Sequence, residues 1–449
     1  MLPRGTFERR KMKQTINDKI KAIKYKKPGA LAYKCVMFLA RCLYYKKCKV
    51  TVNNTVDFAK YKGQPLIIVS NHASRMDYAF VTFAMNKSKR RINFVAAENE
   101  FHRSKFKLVF GLGKVIPKKN FVPDLKTIKS MAQILKREKE GTVCIFPCGM
   151  STASGAQQTS MLGSGKMLKH FGVPVLGVRI HGGYFVSPKF DITERAGKVE
   201  IDIFELFTPE ELKTMDEHTV DLKMDEAIYT DDYEWNKTRQ HSYKCKGEFA
   251  GNLHQLLYKC PVCGEEMQME GKGNTIKCLK CGNGATLDDK YNLVPLPGSK
   301  VPENIRHWFD NERRDMRRKV MQPDFHLEEH AQLGVMREYE YMTKGKTCDV
   351  VGDGIISLDK NGFKYVGTRN GEPWEVTIKS DVINTLCLPL DASFFYTYAS
   401  GEFLQFIPDT ASCMRWSFAV EEMYRTLGGK WQNYPWFDYE HDAPLVEEK

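Results

Sequence analysis

The chain predicts an α/β unit with a mostly parallel sheet flanked by helices, followed by a cysteine module and a β-rich C-terminal unit. Three observations carry this expectation. Short, almost wholly apolar runs alternate with helix-like stretches between about residues 64 and 205, as they do in sheets buried on both faces. Two Cys-x2-Cys pairs stand close together between Cys260 and Cys281. Beyond about residue 347, strand-like runs are separated by Asn361-Gly362 and Asn370-Gly371, both hairpin signals.

Taken in order, the expected strands are 65–70, 92–98, 142–147, 173–180 and 198–206. The segment 124–141 reads as a helix with Leu125, Ile128, Met131 and Leu135 on its inner face and Gly141 as its stop. A last helix over 411–429 places Trp416, Val420, Met423, Tyr424 and Leu427 on one face. The expected division is a basic arm with an amphipathic helix (1–50), the α/β unit (51–250), the cysteine module (251–300), a helical linker (301–346), the β-rich unit (347–430) and a tail (431–449).

Hydrophobic residues make up 42% of the 449 and charged residues 27%, which excludes wholesale disorder. The excess of positive charge is local. Residues 1–50 hold fifteen Lys/Arg and two acids, a net +13, so the remainder of the chain is balanced. Directly after 24-KYKKPG-29, the residues Leu31, Cys35, Phe38, Leu39 and Cys42 recur at helical spacing, with Lys34 and Arg41 expected opposite. This helix is too short and too charged to span a bilayer. A basic amphipathic helix beside a polybasic segment predicts peripheral or monotopic binding to anionic phospholipid. No signal peptide is evident. Nine of the thirteen cysteines are scattered, several in apolar runs (Cys35, Cys144, Cys387) as buried small hydrophobes would be. That predicts a reducing cytosol, hence the cytoplasmic face of a membrane, in an arrangement that looks bacterial.

The sharpest motif is 71-NHASRMD-77, directly behind the apolar run Leu66–Val69. A neutral imidazole takes a proton from a hydroxyl while a carboxylate fixes its tautomer. His72 and Asp77 are five apart, which places the histidine on a loop and the aspartate in the first turn of a helix. The full string Asn71-His72-x-Ser74-x-x-Asp77 resembles the first motif of the glycerolipid acyltransferase family, which includes the 1-acyl-glycerol-3-phosphate acyltransferases. Three further blocks follow in the family's order. They are 113-GKVIPKK-119, then Phe146, Pro147, Gly149, Thr152 and Gly155, then 173-VPVLGV-178.

The resemblance implies transfer of a fatty acyl group from an acyl-CoA or acyl-carrier-protein thioester to the hydroxyl of a lysophospholipid. In that reading His72 is the general base and Asp77 orients it. Asn71, Ser74, Lys118, Lys119, Cys148, Gly149, Thr152 and Arg179 are the expected substrate-binding residues, the three cations for acceptor phosphate. Arg179 reads equally well as a solvated charge. No redox cofactor is implied. Two positions depart from the family. Cys148 stands where a Glu associated with acceptor binding is expected, and Ser151 where many members have Arg. A re-tuned acceptor site, a lipid-binding scaffold that has lost activity and a covalent acyl-Cys148 enzyme all remain open on sequence.

Cys260, Cys263, Cys278 and Cys281 form a C-x2-C…C-x2-C set with fourteen residues between the pairs, and Gly264 and Gly282 ease the knuckles. This predicts a structural zinc ribbon with no open coordination position. Zinc ribbons also serve nucleic acid, but residues 251–300 carry six Lys against five acids and no basic stripe, so no nucleic-acid partner is expected. Antiparallel strands closed by one helix resemble the pleckstrin-homology-like (PH-like) architecture, a topological likeness that carries no site.

Overall fold

A run of apolar residues with no polar alternation has no solvent face, so it belongs in the middle of a sheet. The computed structural model describes residues 25–102, 107–161, 163–245, 248–336 and 348–427, and puts these runs there. The first sheet has seven strands: β1 (Thr51–Asn54), β2 (Leu66–Ser70), β3 (Asn93–Ala97), β4 (Ile116–Lys118), β5 (Thr142–Ile145), β6 (Val175–His181) and β7 (Glu200–Phe207). Their order is β1-β7-β6-β2-β5-β3-β4. Only the β6–β7 pairing is antiparallel, so the sheet is mixed but mostly parallel as expected. The short edge strands β1 and β4 were not legible as strands. Every residue of β2 and β5 is buried. Leu66 and Ile68 enter the core on one face of the sheet, Ile67 and Val69 the core on the other, as the two-residue period requires.

Helices cover both faces. On one side, α1 (Ala30–Ala40) runs on through a π turn to Tyr45 and packs on α2 (Asp77–Ala84) and α3 (Lys107–Gly113). On the other side, α4 (Leu125–Arg137) buries Met131, Ile134 and Leu135 against β2 and β5. Asp124 caps α4 by accepting the Lys126 and Thr127 N–H groups. Leu125, expected on the inner face, is 74% exposed. Gly141 serves as a close approach: a Cβ there would lie 2.1 Å from the Ile134 carbonyl oxygen.

The expected placement of the α1 charges needs correction. Leu31, Phe38 and Leu39 are 76%, 71% and 56% exposed, Cys35 and Cys42 are exposed too, while Met37, Ala40, Tyr44 and Tyr45 dock on the core. Lys34 and Arg41 therefore flank the exposed apolar strip, and the side opposite that strip is the docked one. Cys35 is no core residue, unlike Cys144 and Cys387. No helix among the described residues is long and apolar enough to cross a membrane. Residues 1–24 of the basic arm and the tail 431–449 lie outside the described residues.

After the short helices α5 (Ser164–Phe171), α6 (Gly183–Val186), α7 (Pro209–Thr214), α8 (Glu217–Ile228) and α9 (Asp232–Arg239), the chain forms a four-stranded antiparallel meander. Its strands are β8 (Met269–Lys272), β9 (Thr275–Cys278), β10 (Gly284–Leu287) and β11 (Leu293–Pro295). The segment 301–346, read as a charged linker, holds an interior helix, α10 (Ile305–Val320), whose Trp308, Phe309, Glu312 and Arg313 are buried. It also holds β12 (Leu327–Met336), the first strand of the last sheet.

That sheet continues with β13 (Cys348–Asp359), β14 (Gly362–Arg369), β15 (Glu372–Lys379), β16 (Phe395–Ala399) and β17 (Glu402–Pro408) in the order β15-β14-β13-β12-β17-β16, antiparallel throughout. Asn370 and Gly371 turn β14 into β15 with φ of 55° and 86°, the backbone of a type I′ turn. The closing helix α11 (Cys413–Thr426) lies between this sheet and α10, so it is buried nearly all round, although its expected core residue Leu427 is exposed.

Candidate functional site

In the sheet, β2 lies between β6 on one side and β5 on the other, all three parallel. Loops at the carboxyl ends of those three strands therefore converge, the usual place for a site in an open α/β sheet. His72 follows β2, Phe146–Thr152 follow β5, and Gly182 follows β6.

Asp77 opens α2 and is fully buried. Its Oδ2 lies 2.8 Å from His72 Nδ1 and accepts the Ser74 N–H at 2.9 Å, while Oδ1 accepts the Ser74 hydroxyl at 2.9 Å. With Nδ1–H held by the carboxylate, the lone pair of the imidazole sits on Nε2. The ring stacks on Phe146 at 4.5 Å and 27°. Its backbone is fixed from two sides: the His72 N–H donates to Gln157 Oε1 at 3.2 Å, and the Thr152 N–H donates to the His72 carbonyl at 2.9 Å. The result is a partly exposed imidazole with one nitrogen anchored and the other available to take a proton.

The other expected residues divide into those that face the site and those the fold consumes. Asn71 is fully buried; its amide donates to the Ile180 carbonyl and the Thr230 hydroxyl and accepts the Ile180 N–H. It splices the motif loop to β6. Ser74 orients Asp77, and Thr152 closes its own loop through the Ala156 carbonyl and the Gly155 N–H. The Gly149 N–H is taken by the Phe146 carbonyl, and its carbonyl accepts from Asn120. Gly149 has φ of 78°, which only glycine adopts without strain.

Lys118 is partly buried, donates to the Lys119 carbonyl and has its pKa lowered by that burial. The Lys119 ammonium lies 5.6 Å from the Tyr398 ring of β16. Arg179 pairs with Asp202 of β7 at 3.4 Å and sits over Phe204, so it belongs to the β6–β7 face. Cys148 is 3% exposed, donates to the Met150 carbonyl, and burial pushes its thiol up to about 11. A buried thiol held protonated is a poor nucleophile.

Sequence reasoning missed the supports behind these loops. Asp232 accepts the Gly182 and Tyr184 N–H groups, and Asp225 accepts the Ser160 N–H. Burial pushes both carboxyls up to about 7. Nothing in the local sequence marks them, because their partners are 48 to 65 residues away.

In the cysteine module, one ligand sulfur from each of Cys260, Cys263, Cys278 and Cys281 lies within 4.8 Å of the others. Gly264 and Gly282 turn the knuckles with φ of 72° and 76°. The N–H groups of Val262 and Cys263 point at the Cys260 sulfur, those of Lys280 and Cys281 at the Cys278 sulfur. Four convergent sulfurs supported by backbone donors fit a soft divalent metal.

Comparison with known proteins gives the region around His72 a family. The family model described as Acyltransferase matches residues 49–181. Among solved structures, the chain is similar to the 1-acyl-sn-glycerophosphate (LPA) acyltransferase PlsC from Thermotoga maritima, with 20% identity and a TM-score of 0.35, over 44% of this chain and 76% of that one. No curated protein matches the chain. Residues 49–181, which contain the His72–Asp77 pair, the Phe146–Thr152 loop and all of β6, belong to the acyltransferase family.

Proposed function

We propose that this acyltransferase moves a fatty acyl group from an acyl-CoA or acyl-carrier-protein thioester to the free hydroxyl of a lysophospholipid such as 1-acyl-glycerol-3-phosphate. The observation that carries the reading is the 2.8 Å contact between His72 Nδ1 and Asp77. His72 Nε2 takes the acceptor's hydroxyl proton as that oxygen attacks the thioester carbonyl. The C–S bond then breaks, and the thiolate leaves with the proton from the imidazolium, whose positive charge Asp77 stabilises. No nucleophile from the protein is needed. Lys118 and Lys119 are the candidate cations for the acceptor's phosphate.

The surrounding parts suit work at a membrane surface. The exposed strip of Leu31, Phe38 and Leu39, flanked by Lys34 and Arg41, suits insertion among anionic headgroups at the cytoplasmic face. A zinc ion held by Cys260, Cys263, Cys278 and Cys281 would be structural, since four thiolates leave no position for substrate. The C-terminal unit, with its meander and closing helix, is read as PH-like, beginning at β12. A donor–acceptor screen tests the assignment: purified protein is given acyl-CoA or acyl-carrier protein with lysophosphatidic acid or neutral lysolipids, and released thiol is measured. Thiol release that requires the lysolipid supports it. Release unaffected by any acceptor refutes it.

A further inference from the structure

The cavity against Cys148 is closed by residues from the far end of the chain. Phe121, Cys148, Met150 and Thr159 form one side, and Thr385 and Glu421 of the C-terminal unit form the other, around a space of about 20 Å³. That is room for a water-sized molecule. Glu421 is held in place there: Oε1 accepts the Thr385 hydroxyl at 2.5 Å and Oε2 meets the Arg313 guanidinium at 2.5 Å. Two further contacts seat the same unit over these loops, Tyr396 donating to Asn99 Oδ1 at 3.2 Å and Tyr398 beneath the Lys119 ammonium.

Below the loop lies Lys189, 3% exposed, whose ammonium donates to the Ser151 carbonyl at 3.2 Å. The next residue, Thr152, donates its N–H to the His72 carbonyl. A continuous path thus runs from the amine to the backbone of the candidate base. Burial lowers the Lys189 pKa to about 8, and Cys387, Cys148 and Glu421 act in the opposite direction. The loop itself lacks both charges that its family resemblance leads one to expect, having Cys148 for a carboxylate and Ser151 for a guanidinium.

We infer that the C-terminal unit completes the acyl-transfer site, Glu421 supplying at Cys148 the carboxylate, and Lys189 beneath Ser151 the cation, that the loop side chains lack. Both are positioning residues: they hold the loop from Cys148 to Thr152 in the form that receives the acceptor. The inference rests on the acyl-transfer reading above. It also gives Cys148 a reason, since a glutamate there would place a second carboxylate in the cavity Glu421 lines.

The test is a cycle of Glu421→Gln, Cys148→Glu and the double variant, read by thermal unfolding and by steady-state kinetics with lysophosphatidic acid. Glu421→Gln should raise the acceptor KM by roughly tenfold with a smaller change in kcat. Cys148→Glu alone should lower Tm, and the double variant should recover both Tm and KM. Equal loss of Tm from Cys148→Glu in both backgrounds, or a KM within about twofold of the parent in Glu421→Gln, overturns the inference. Wild-type protein that turns over no acceptor sinks the acyl-transfer reading instead, while the unfolding cycle still decides whether residues 148 and 421 share the cavity.

Discussion

At the residue scale, the contact between His72 and Asp77 was legible because its geometry is local. His72 and Asp77 are five positions apart, and a strand end followed by a helix start leaves few ways to arrange them. The roles of their neighbours were not legible. Asn71, Ser74 and Thr152 are polar residues in a functional motif, yet each spends its hydrogen bonds on the fold, and only tertiary structure tells consumed polar groups from available ones. Asp77→Asn keeps the side-chain volume but loses the charge and offers Nδ1 the wrong partner. It should lower kcat by about a thousandfold or more, with acceptor KM little changed.

A second prediction concerns the buried carboxyl of Asp225, whose ordinary value is 3.8 and which burial raises to about 7. A raised carboxyl pKa means that the folded state holds its proton more tightly than the unfolded chain does. Its contribution to stability is thus fully present below pH 3.8 and is lost as pH rises through about 7. Asp225→Asn should therefore flatten the fall in Tm across that window, as measured by unfolding at a series of pH values.

At the element scale, strands buried on both faces were readable because an apolar run admits one interpretation, whereas edge strands such as β1 and β4 carry no such pattern. Helix α10 misled for the opposite reason. Its Arg313 and Glu312 look like surface charges, but Arg313 pairs with Glu421 and Glu312 accepts the Tyr258 and Lys259 N–H groups inside the core. Helix α1 is apolar on both sides, which a single-face reading could not resolve. Its outer strip yields a prediction. Replacing Leu31, Phe38 and Leu39 together by Ser should weaken binding to anionic vesicles by about a hundredfold or more, at roughly 1.5–3 kcal/mol for each large side chain buried. The fold should be unaffected, since none of the three packs on the core; co-sedimentation with vesicles and far-UV circular dichroism check the two parts.

At the scale of the whole molecule, one continuous hydrophobic core runs from the α/β unit through Tyr291 and Leu257 to Trp308, Trp416 and Phe363. Composition hinted at separate modules, and the order of modules along the chain was readable, but their fusion was not. The joints are single long-range residues. Arg195 is fully buried and links Asp191 and the Tyr291 hydroxyl to the Phe249 carbonyl, between aromatic rings. Arg195→Met should cost about 3 kcal/mol, because it leaves Asp191 without its partner, and the loss is visible as a lower Tm. The same continuity ties the cysteine module to the rest of the fold, so if the four thiolates hold zinc as proposed, a chelator should lower Tm for the entire molecule in one transition.

His72, oriented by Asp77, is proposed to drive acyl transfer to a lysolipid hydroxyl. The most direct measurement is acceptor-dependent thiol release from acyl-CoA and from acyl-carrier protein by wild-type protein beside His72→Ala, with both confirmed folded. The account predicts turnover by the wild type and a loss of at least about a hundredfold in kcat for the variant. Equal turnover by the two proteins, or none by the folded wild type with any lysolipid, would contradict it.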